Sequence, residues 1–174
     1  MKRAEKASFL IGFGLIILGT CAYDAQAQVG GIPRAMSLTS DERGAIDRQQ
    51  SEKDKVKAFL KVADLRLNNA MLLTVRGDFQ RASNDLSVYS ELVSSAREYI
   101  QGLPGKEKKR FGLFKMLEQR LLAQIRYLES IERDFPFDQS ALATSVLNKA
   151  REVRFLTLDK MFEGWMTERQ KEKK

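Results

Sequence analysis

Apolar residues recur at alternating intervals of three and four along most of this chain, which is the spacing of amphipathic helices. The three prolines, Pro33, Pro104 and Pro136, lie between the periodic segments and never inside one. No period-two run of apolar residues is long enough to predict a strand. The pattern therefore predicts an all-α chain of long helices joined by short connections.

The first periodic segment is predicted to form one continuous helix from Thr39 to Val75. Thr39 and Glu42 have the spacing of a capping box, and Gly77 can take the left-handed position after the last turn. The seam is polar in the first third of this segment and apolar afterwards. We therefore expect residues 40–52 to project beyond the neighbouring helix, as a solvated extension or a docking arm.

Three further helices follow, and the second has the clearest pattern. After Asp78, which can cap it, the seam is apolar or aromatic throughout: Phe79, Ala82, Leu86, Tyr89, Val93, Ala96 and Ile100. The third helix is predicted from about Lys106 to Asp134 and the fourth from about Asp138 to Met166. Their predicted inward positions include Phe111, Leu122, Phe162 and Trp165. Short connections make sequential helices antiparallel neighbours, so we predict an antiparallel up-down-up-down four-helix bundle with an overhanging first helix.

The N-terminal segment has the pattern of a secretory signal peptide. A basic start precedes an uncharged apolar run at residues 9–18, and small residues stand at Ala25 and Ala27, so that cleavage leaves Gln28 first. Two alternatives stay open: an uncleaved N-terminal anchor, and a lipoprotein signal in which Cys21 carries acyl chains. We therefore expect an exported protein of the periplasm or the extracellular medium.

These patterns divide the chain into four regions. Residues 1–27 are the predicted signal peptide, and residues 28–38 are a flexible linker. Residues 39–166 form the helical bundle, and residues 167–174 form a disordered basic tail.

The composition limits the chemistry that the chain can perform. It has no histidine and a single cysteine, Cys21, which lies inside the predicted signal. Histidine bases, cysteine nucleophiles, His/Cys zinc sites and disulfides therefore have no residues in the predicted mature chain. Glu129 and Glu132 have the spacing of carboxylate metal sites in bundles, but the histidine of those sites is missing. We predict no catalytic residues, no metal and no cofactor.

The chain has a formal net charge of +7, and its positive charge is predicted to collect at one end of the bundle. Residues 52–57, 106–110 and 168–174 carry net charges of +1, +3 and +2, and they form what we name the basic pole. Residues 129–141, at the opposite end, carry −3. The candidate anion-binding residues are Lys106, Lys108, Lys109, Arg110, Lys171, Lys173 and Lys174. Aromatic residues are not interleaved with these cations, a pattern that does not favour nucleic acid as a partner.

Two junctions carry a resemblance to known proteins. The segments from Gly77 to Ala82 and from Arg133 to Pro136 resemble those of exported all-helical proteins of bacteria. The resemblance covers residues 55–166 and implies no activity.

We therefore expect a non-enzymatic interaction or structural module of the cell envelope. Its partner would be an unknown protein, or a second copy bound through residues 40–52. One alternative is a binder of anionic envelope material, either lipid headgroups or acidic polymers, through the basic pole. Another is an enzyme that uses only carboxylates and lysines.

The signal peptide gives the first testable prediction. Protein recovered from the periplasm or the medium should begin at Gln28, because signal peptidase cleaves after the small residue Ala27. Intact-mass measurement checks this. An acylated Cys21 or a retained Met1 contradicts it and identifies one of the two alternatives.

Overall fold

The computed structural model describes residues 38–105 and 107–172, the last eight of these by their backbone alone. Within this range the chain forms five helices and no strand: α1 (Ser40–Asp47), α2 (Glu52–Val75), α3 (Phe79–Gly102), α4 (Glu107–Asp134) and α5 (Ala141–Glu172). The predicted all-α class is confirmed. The signal residues Cys21, Ala25, Ala27 and Gln28 lie outside the described residues, as do Lys106, Lys173 and Lys174.

The predicted continuous first helix is wrong, because the chain breaks at residues 48–51 into α1 and α2. The capping box of Thr39 and Glu42 is confirmed at the start of α1. A second cap starts α2: the hydroxyl of Ser51 accepts a hydrogen bond from the backbone N–H of Asp54 at 3.0 Å. Ser51 and Asp54 have the same spacing as Thr39 and Glu42, so the chain holds two helix starts where one was predicted.

The predicted overhang is also wrong, because α1 folds back against α2. In one straight helix Glu42 and Arg66 would lie about 36 Å apart, at 1.5 Å per residue. Their side chains instead form an ion pair at 2.6 Å. Ile46 of α1 is buried, and Asp47 lies 3.5 Å from Lys55 near the start of α2. Residues 40–47 therefore cover α2 and do not project from it.

The junction between α2 and α3 forms as predicted. Gly77 has a φ of +75°, in the left-handed region that glycine adopts without steric cost. The backbone N–H groups of Gly77 and Asp78 donate to the carbonyls of Thr74 and Leu73, both at 2.9 Å, which is a Schellman motif. The Asp78 side chain caps α3 by accepting from the N–H of Arg81.

The predicted second and third helices are confirmed as α3 and α4. Six of the seven predicted seam residues of α3 are buried, and Phe79 packs edge-on against Phe135 with ring centroids 5.1 Å apart. The predicted core seam of α4 is also buried: Phe114, Leu117, Leu121, Gln124, Leu128 and Ile131. Phe111 and Leu122, predicted to widen this seam, are instead 37% and 46% exposed.

The fourth predicted helix is present as α5, but its surface differs from the prediction. Val146, Ala150 and Val153 are buried as expected. Phe162 was predicted to face inward and is 62% exposed. The helix continues to Glu172, whereas the pattern predicts an end near Met166. The side chain of Trp165 lies outside the described part.

Packing joins the helices around one apolar core. In the described residues α2 packs against α1, α3 and α4, while α5 packs against α3 and α4. The largest fully buried side chains include Leu86, Tyr89, Ile100, Leu117 and Leu121. None of the described helices is both long enough and apolar enough to span a bilayer.

Replacing Gly77 tests the junction between α2 and α3. Gly77→Ala should lower the free energy of unfolding by about 1–2 kcal/mol, because alanine pays a steric penalty in the left-handed region. Urea denaturation measures the change. Gly44→Ala is the matched control: Gly44 lies inside α1 with open space where an alanine methyl group would stand, so alanine should stabilise there by up to about 1 kcal/mol. Equal effects at both positions would contradict the Schellman geometry.

Candidate functional site

The predicted basic pole is partly neutralised by carboxylates. Lys109 forms an ion pair with Glu52 of α2 at 2.8 Å. Lys108 is exposed and Arg110 is half-buried. The side chain of Lys171, like Lys106, Lys173 and Lys174, is outside the described part of the chain. The acid that pairs with Lys109 is already included in the net charge of the pole, so the ion pair leaves the net charge unchanged and leaves fewer of the cations free.

A small pocket of about 380 Å³ opens at this pole, where three helices meet. Its walls come from the last turn of α3, the first two turns of α4 and the middle of α5. The lining residues are Gln101, Glu107, Arg110, Phe111, Phe114, Lys160, Glu163 and Gly164. Its charges are mixed, since Glu107 and Glu163 stand among the cations and Lys160 pairs with Glu163 at 2.6 Å.

A larger groove of about 690 Å³ runs between α1 and α2. Its floor is apolar, formed by Ala45, Ala58, Val62 and Leu65. The side chain of Leu65 is 56% exposed although it lies in the middle of α2. Polar residues form the rim: Asp41, Glu42, Gln49, Asp54, Lys57, Lys61, Asp64 and Asn68. We name this feature the α1–α2 groove.

A second pocket of about 470 Å³ adjoins this groove on the other side of α2. It lies between α2 and α4, with Leu60 and Met116 in its wall. Lys57, Lys61 and Asp64 line both features. Of these, Lys57 pairs with Asp54 at 2.9 Å, whereas Lys61 has no ion-pair partner among the described side chains. Lys61 therefore offers an exposed positive charge between the two depressions.

A polar chain crosses the core beneath this second pocket. The Tyr89 hydroxyl donates to Gln124 Oε1 at 3.0 Å, and Gln124 Nε2 donates to Asp64 Oδ1 at 2.7 Å. Arg120 pairs with the other oxygen of Asp64. Burial, together with the nearby charge of Asp64, raises the pKa of Tyr89, so its hydroxyl keeps the proton that it donates. Three helices are joined in this way at one level of the core.

A separate polar cluster, formed by Glu42, Arg66 and Asp85, holds α1 in place. Arg66 Nε and Nη2 donate to the two carboxylate oxygens of Glu42 at 2.7 and 2.6 Å, while Nη1 donates to Asp85 of α3 at 2.6 Å. Asp85 is almost completely buried, so it requires a cation within hydrogen-bond distance. Burial raises the pKa of Glu42, but the hydrogen bonds from Arg66 and Thr39 outweigh it and hold that pKa below 4.5. The hydrogen bonds that Arg66 donates, first to Glu42 and then to Asp85, raise the pKa of Arg66 although burial lowers it.

Two carboxylates at the groove, Glu42 and Asp54, favour the charged form. The pKa of Asp54, like that of Glu42, is lowered, because Ser51 and Lys57 donate hydrogen bonds to it. A general acid needs the opposite, a carboxyl group whose pKa is raised towards neutrality. Glu42 and Asp54 thus take part in the hydrogen bonds at the helix starts and in ion pairs.

Glu129 and Glu132, which have the spacing of a carboxylate metal site, form contacts between α4 and α5. Glu129 binds Arg151 of α5 at 2.7 Å, and Glu132 accepts a hydrogen bond from Thr144 at 2.9 Å. Among the described residues, no group of three or more acidic or cysteine side chains could hold a metal ion.

Comparison of the chain with protein-family models, curated proteins and solved structures finds no match in any of the three.

Sequence reasoning missed both the α1–α2 groove and its anchor, Arg66. The groove exists only because α1 reverses, and the pattern predicts a straight helix there. The Ser51 cap was the available signal for the reversal. No local signal points to the contact of Glu42 with Arg66, since the two residues are 24 positions apart.

Removing the Arg66 guanidinium should destabilise the fold and change its response to acid. Arg66→Met leaves Glu42 and Asp85 without their cation, at a cost of about 2–3 kcal/mol near neutral pH. The pKa of Glu42 is lowered in the folded chain, so its contribution is complete above pH 4.5 and is lost as the pH falls through the folded value. The difference in unfolding free energy between the two proteins should therefore narrow below pH 4.5.

Urea denaturation at a series of pH values measures this difference. Arg81→Met is the control, because Arg81 is an exposed arginine whose one ion pair among the described side chains is local, with the N-cap residue Asp78 at 3.5 Å. It should change stability by less than about 0.5 kcal/mol. A difference in unfolding free energy between the wild type and Arg66→Met that stays constant down to strongly acidic pH would mean that Arg66 does not lower the pKa of Glu42.

Proposed function

We propose that this chain is a non-enzymatic helical interaction module, exported to the cell envelope, which binds a partner protein in the α1–α2 groove. The apolar floor around Leu65 is the observation that carries the proposal. The lowered pKa values of Glu42 and Asp54 support a binding role over acid–base catalysis. Export rests on the N-terminal pattern of the sequence.

The scaffold that we propose is an antiparallel up-down-up-down bundle of α2, α3, α4 and α5, with α1 folded onto α2. Contacts between helix ends support it. Lys109 near the start of α4 reaches Glu52 at the start of α2, and Phe135 after α4 packs on Phe79 at the start of α3. Further ion pairs, such as Glu118 with Arg154, join α4 to α5. A rigid scaffold of this kind presents a preformed groove.

The chemistry of the groove defines the segment that would fit. An apolar side chain of the partner would contact Ala58, Val62 and Leu65, and burying such an anchor is the main source of binding energy in interfaces of this type. Lys61 at the rim has no acid of its own among the described residues, so it favours a carboxylate beside the anchor. We therefore propose an amphipathic segment of an envelope protein that carries an acidic residue next to a large apolar one.

Site-specific photo-crosslinking in cells that produce the chain tests this function. A benzoylphenylalanine at position 65 should give a discrete crosslinked product, because Leu65 lies in the floor of the groove. The same residue at position 80, where Gln80 is exposed at the start of α3, should not give it. Lys61→Glu should reduce the yield at position 65 by reversing the charge at the rim.

The mass of the product identifies the occupant. A product at twice the mass of the chain would mean self-association, the alternative expected for residues 40–52, and would contradict a separate partner. Identical products at positions 65 and 80, or no product at either, would contradict the groove as a binding site.

A further inference from the structure

The outer side of α4 carries a row of basic residues that the fold leaves unpaired. Lys108, Lys115, Arg126 and Arg133 are all exposed. Their spacings of 7, 11 and 7 residues bring them to nearly the same angle around a helix of 3.6 residues per turn. None of the four forms an ion pair with a described side chain; Arg133 donates only to the backbone carbonyl of Glu129. This basic row therefore presents four charges along the length of α4.

Neighbouring acids do not neutralise the row because α5 already uses them. Glu118 of α4 binds Arg154, with N–O distances of 2.8 and 2.9 Å, and Glu129 binds Arg151 at 2.7 Å. These pairs mark the seam between α4 and α5. Arg133 lies four positions after Glu129, which is about 40° further around the helix and away from the core. The arginines of α5 thus hold the carboxylates in the seam and leave the α4 cations free.

Exposed apolar side chains lie beside the same seam. On α4, Phe111 and Leu122 are seven positions before and four positions after Glu118, and they are 37% and 46% exposed. On α5, Phe155 follows Arg151 by four positions and is 69% exposed. Phe162 follows Phe155 by seven, so it lies in line with it along the helix. We name these four residues, together with the basic row, the α4–α5 face.

We propose that the α4–α5 face binds the surface of an anionic lipid bilayer. Basic residues near such a surface are attracted by its negative potential, and phenylalanine and leucine side chains enter the boundary between headgroups and acyl chains. The face offers both components side by side on adjacent helices. The proposal is independent of the α1–α2 groove and moves anion binding from the basic pole to the side of the molecule; only Lys108 belongs to both.

The apolar component selects a bilayer over a soluble acidic polymer. A polymer would be bound by the four cations alone and would leave Phe155 and Phe162 in water. A bilayer removes these two rings from water, and each buried aromatic side chain adds a hydrophobic contribution that salt does not screen. Binding to a bilayer should therefore weaken with salt but keep a residual part that depends on the phenylalanines.

A fluorescent reporter on the face tests the proposal in the full chain. In a Cys21→Ser background, Asn148→Cys carries an environment-sensitive nitrobenzoxadiazole probe on α5, seven residues before Phe155. Asn68→Cys carries the same probe on α2 as the control position. Vesicles of equal parts phosphatidylglycerol and phosphatidylcholine should raise emission at position 148 and not at position 68. Vesicles of phosphatidylcholine alone should raise neither. A local probe keeps the result independent of any attachment through the N-terminal segment.

Two charge-matched variants locate the attraction. Lys115→Gln, Arg126→Gln and Arg133→Gln together should weaken vesicle binding roughly 100-fold, at about fivefold for each cation. The control variant combines Arg43→Gln, Lys53→Gln and Arg76→Gln, and should bind like the wild type. These are three exposed cations of α1, α2 and the turn after α2 that form no ion pair with a described side chain. Circular dichroism verifies that both variants are folded. Phe155→Gln with Phe162→Gln should abolish the part of binding that survives high salt.

Three outcomes would overturn the proposal. The first is an equal loss of binding in the two charge variants, which would mean attraction by net charge alone. The second is an equal rise in emission at positions 148 and 68. The third is no rise on anionic vesicles combined with binding of soluble polyglutamate that depends on the α4 cations, which would make an acidic polymer the ligand.

Discussion

The pairing of Arg66 with Glu42 and Asp85 is the interaction on which the arrangement of the first three helices depends. Asp85 is buried on α3, and a buried carboxylate without a cation is strongly destabilising. Arg66 satisfies it from α2 and still has two nitrogens that point towards Glu42. The second carboxylate holds α1 back along α2, together with the burial of Ile46, and the groove lies beside the reversed helix. Asp64, two positions earlier, performs the corresponding task towards α4.

Most of the helical structure could be predicted from periodicity because apolar residues alone decide it. The seam of α3 is unbroken, and the position, length and burial of that helix follow from it. The same rule fails for α1 and α2, where the helical spacing continues across the break although the seam positions beside the break, Gln49 and Lys53, are polar. There the cap at Ser51 starts a new helix, against the continuous spacing of the segment. The contact of Glu42 with Arg66, 24 positions apart, then holds the two helices side by side. Phe111, Leu122 and Phe162 show a second limit: an apolar side chain at helical spacing can lie just outside the region that the neighbouring helix covers.

The candidate surfaces were harder to predict than the helices, for electrostatic reasons. A count of formal charges along the sequence gives each lysine the same weight, and it points to the basic run that begins at Lys106. In the structure Lys109 has an acid at 2.8 Å, while Lys115, which stands alone in the sequence, has none among the described side chains. The basic row could have been recognised from its 7, 11, 7 spacing. The sequence could not show that these cations lack ion-pair partners, because that depends on Arg151 and Arg154 of α5, which bind the neighbouring acids.

The distribution of charges separates those that hold the helices together from those that remain for binding. Most ion pairs between the described helices use one acid and one cation, as in Glu52 with Lys109 or Glu118 with Arg154, whereas Arg66 pairs with two acids. The chain has 30 basic residues and 23 acidic ones, so complete pairing would still leave cations without partners. Such a cation costs little when it is hydrated, and a surplus is therefore tolerated wherever the side chains reach water. Its position is decided by the packing of the helices: because the acids of the α4–α5 seam are bound to α5, the surplus on α4 lies along its outer side, next to Phe155 and Phe162. The same ion pairs that fix the register of α5 on α4 thus determine which surface of the molecule combines free positive charge with exposed apolar side chains.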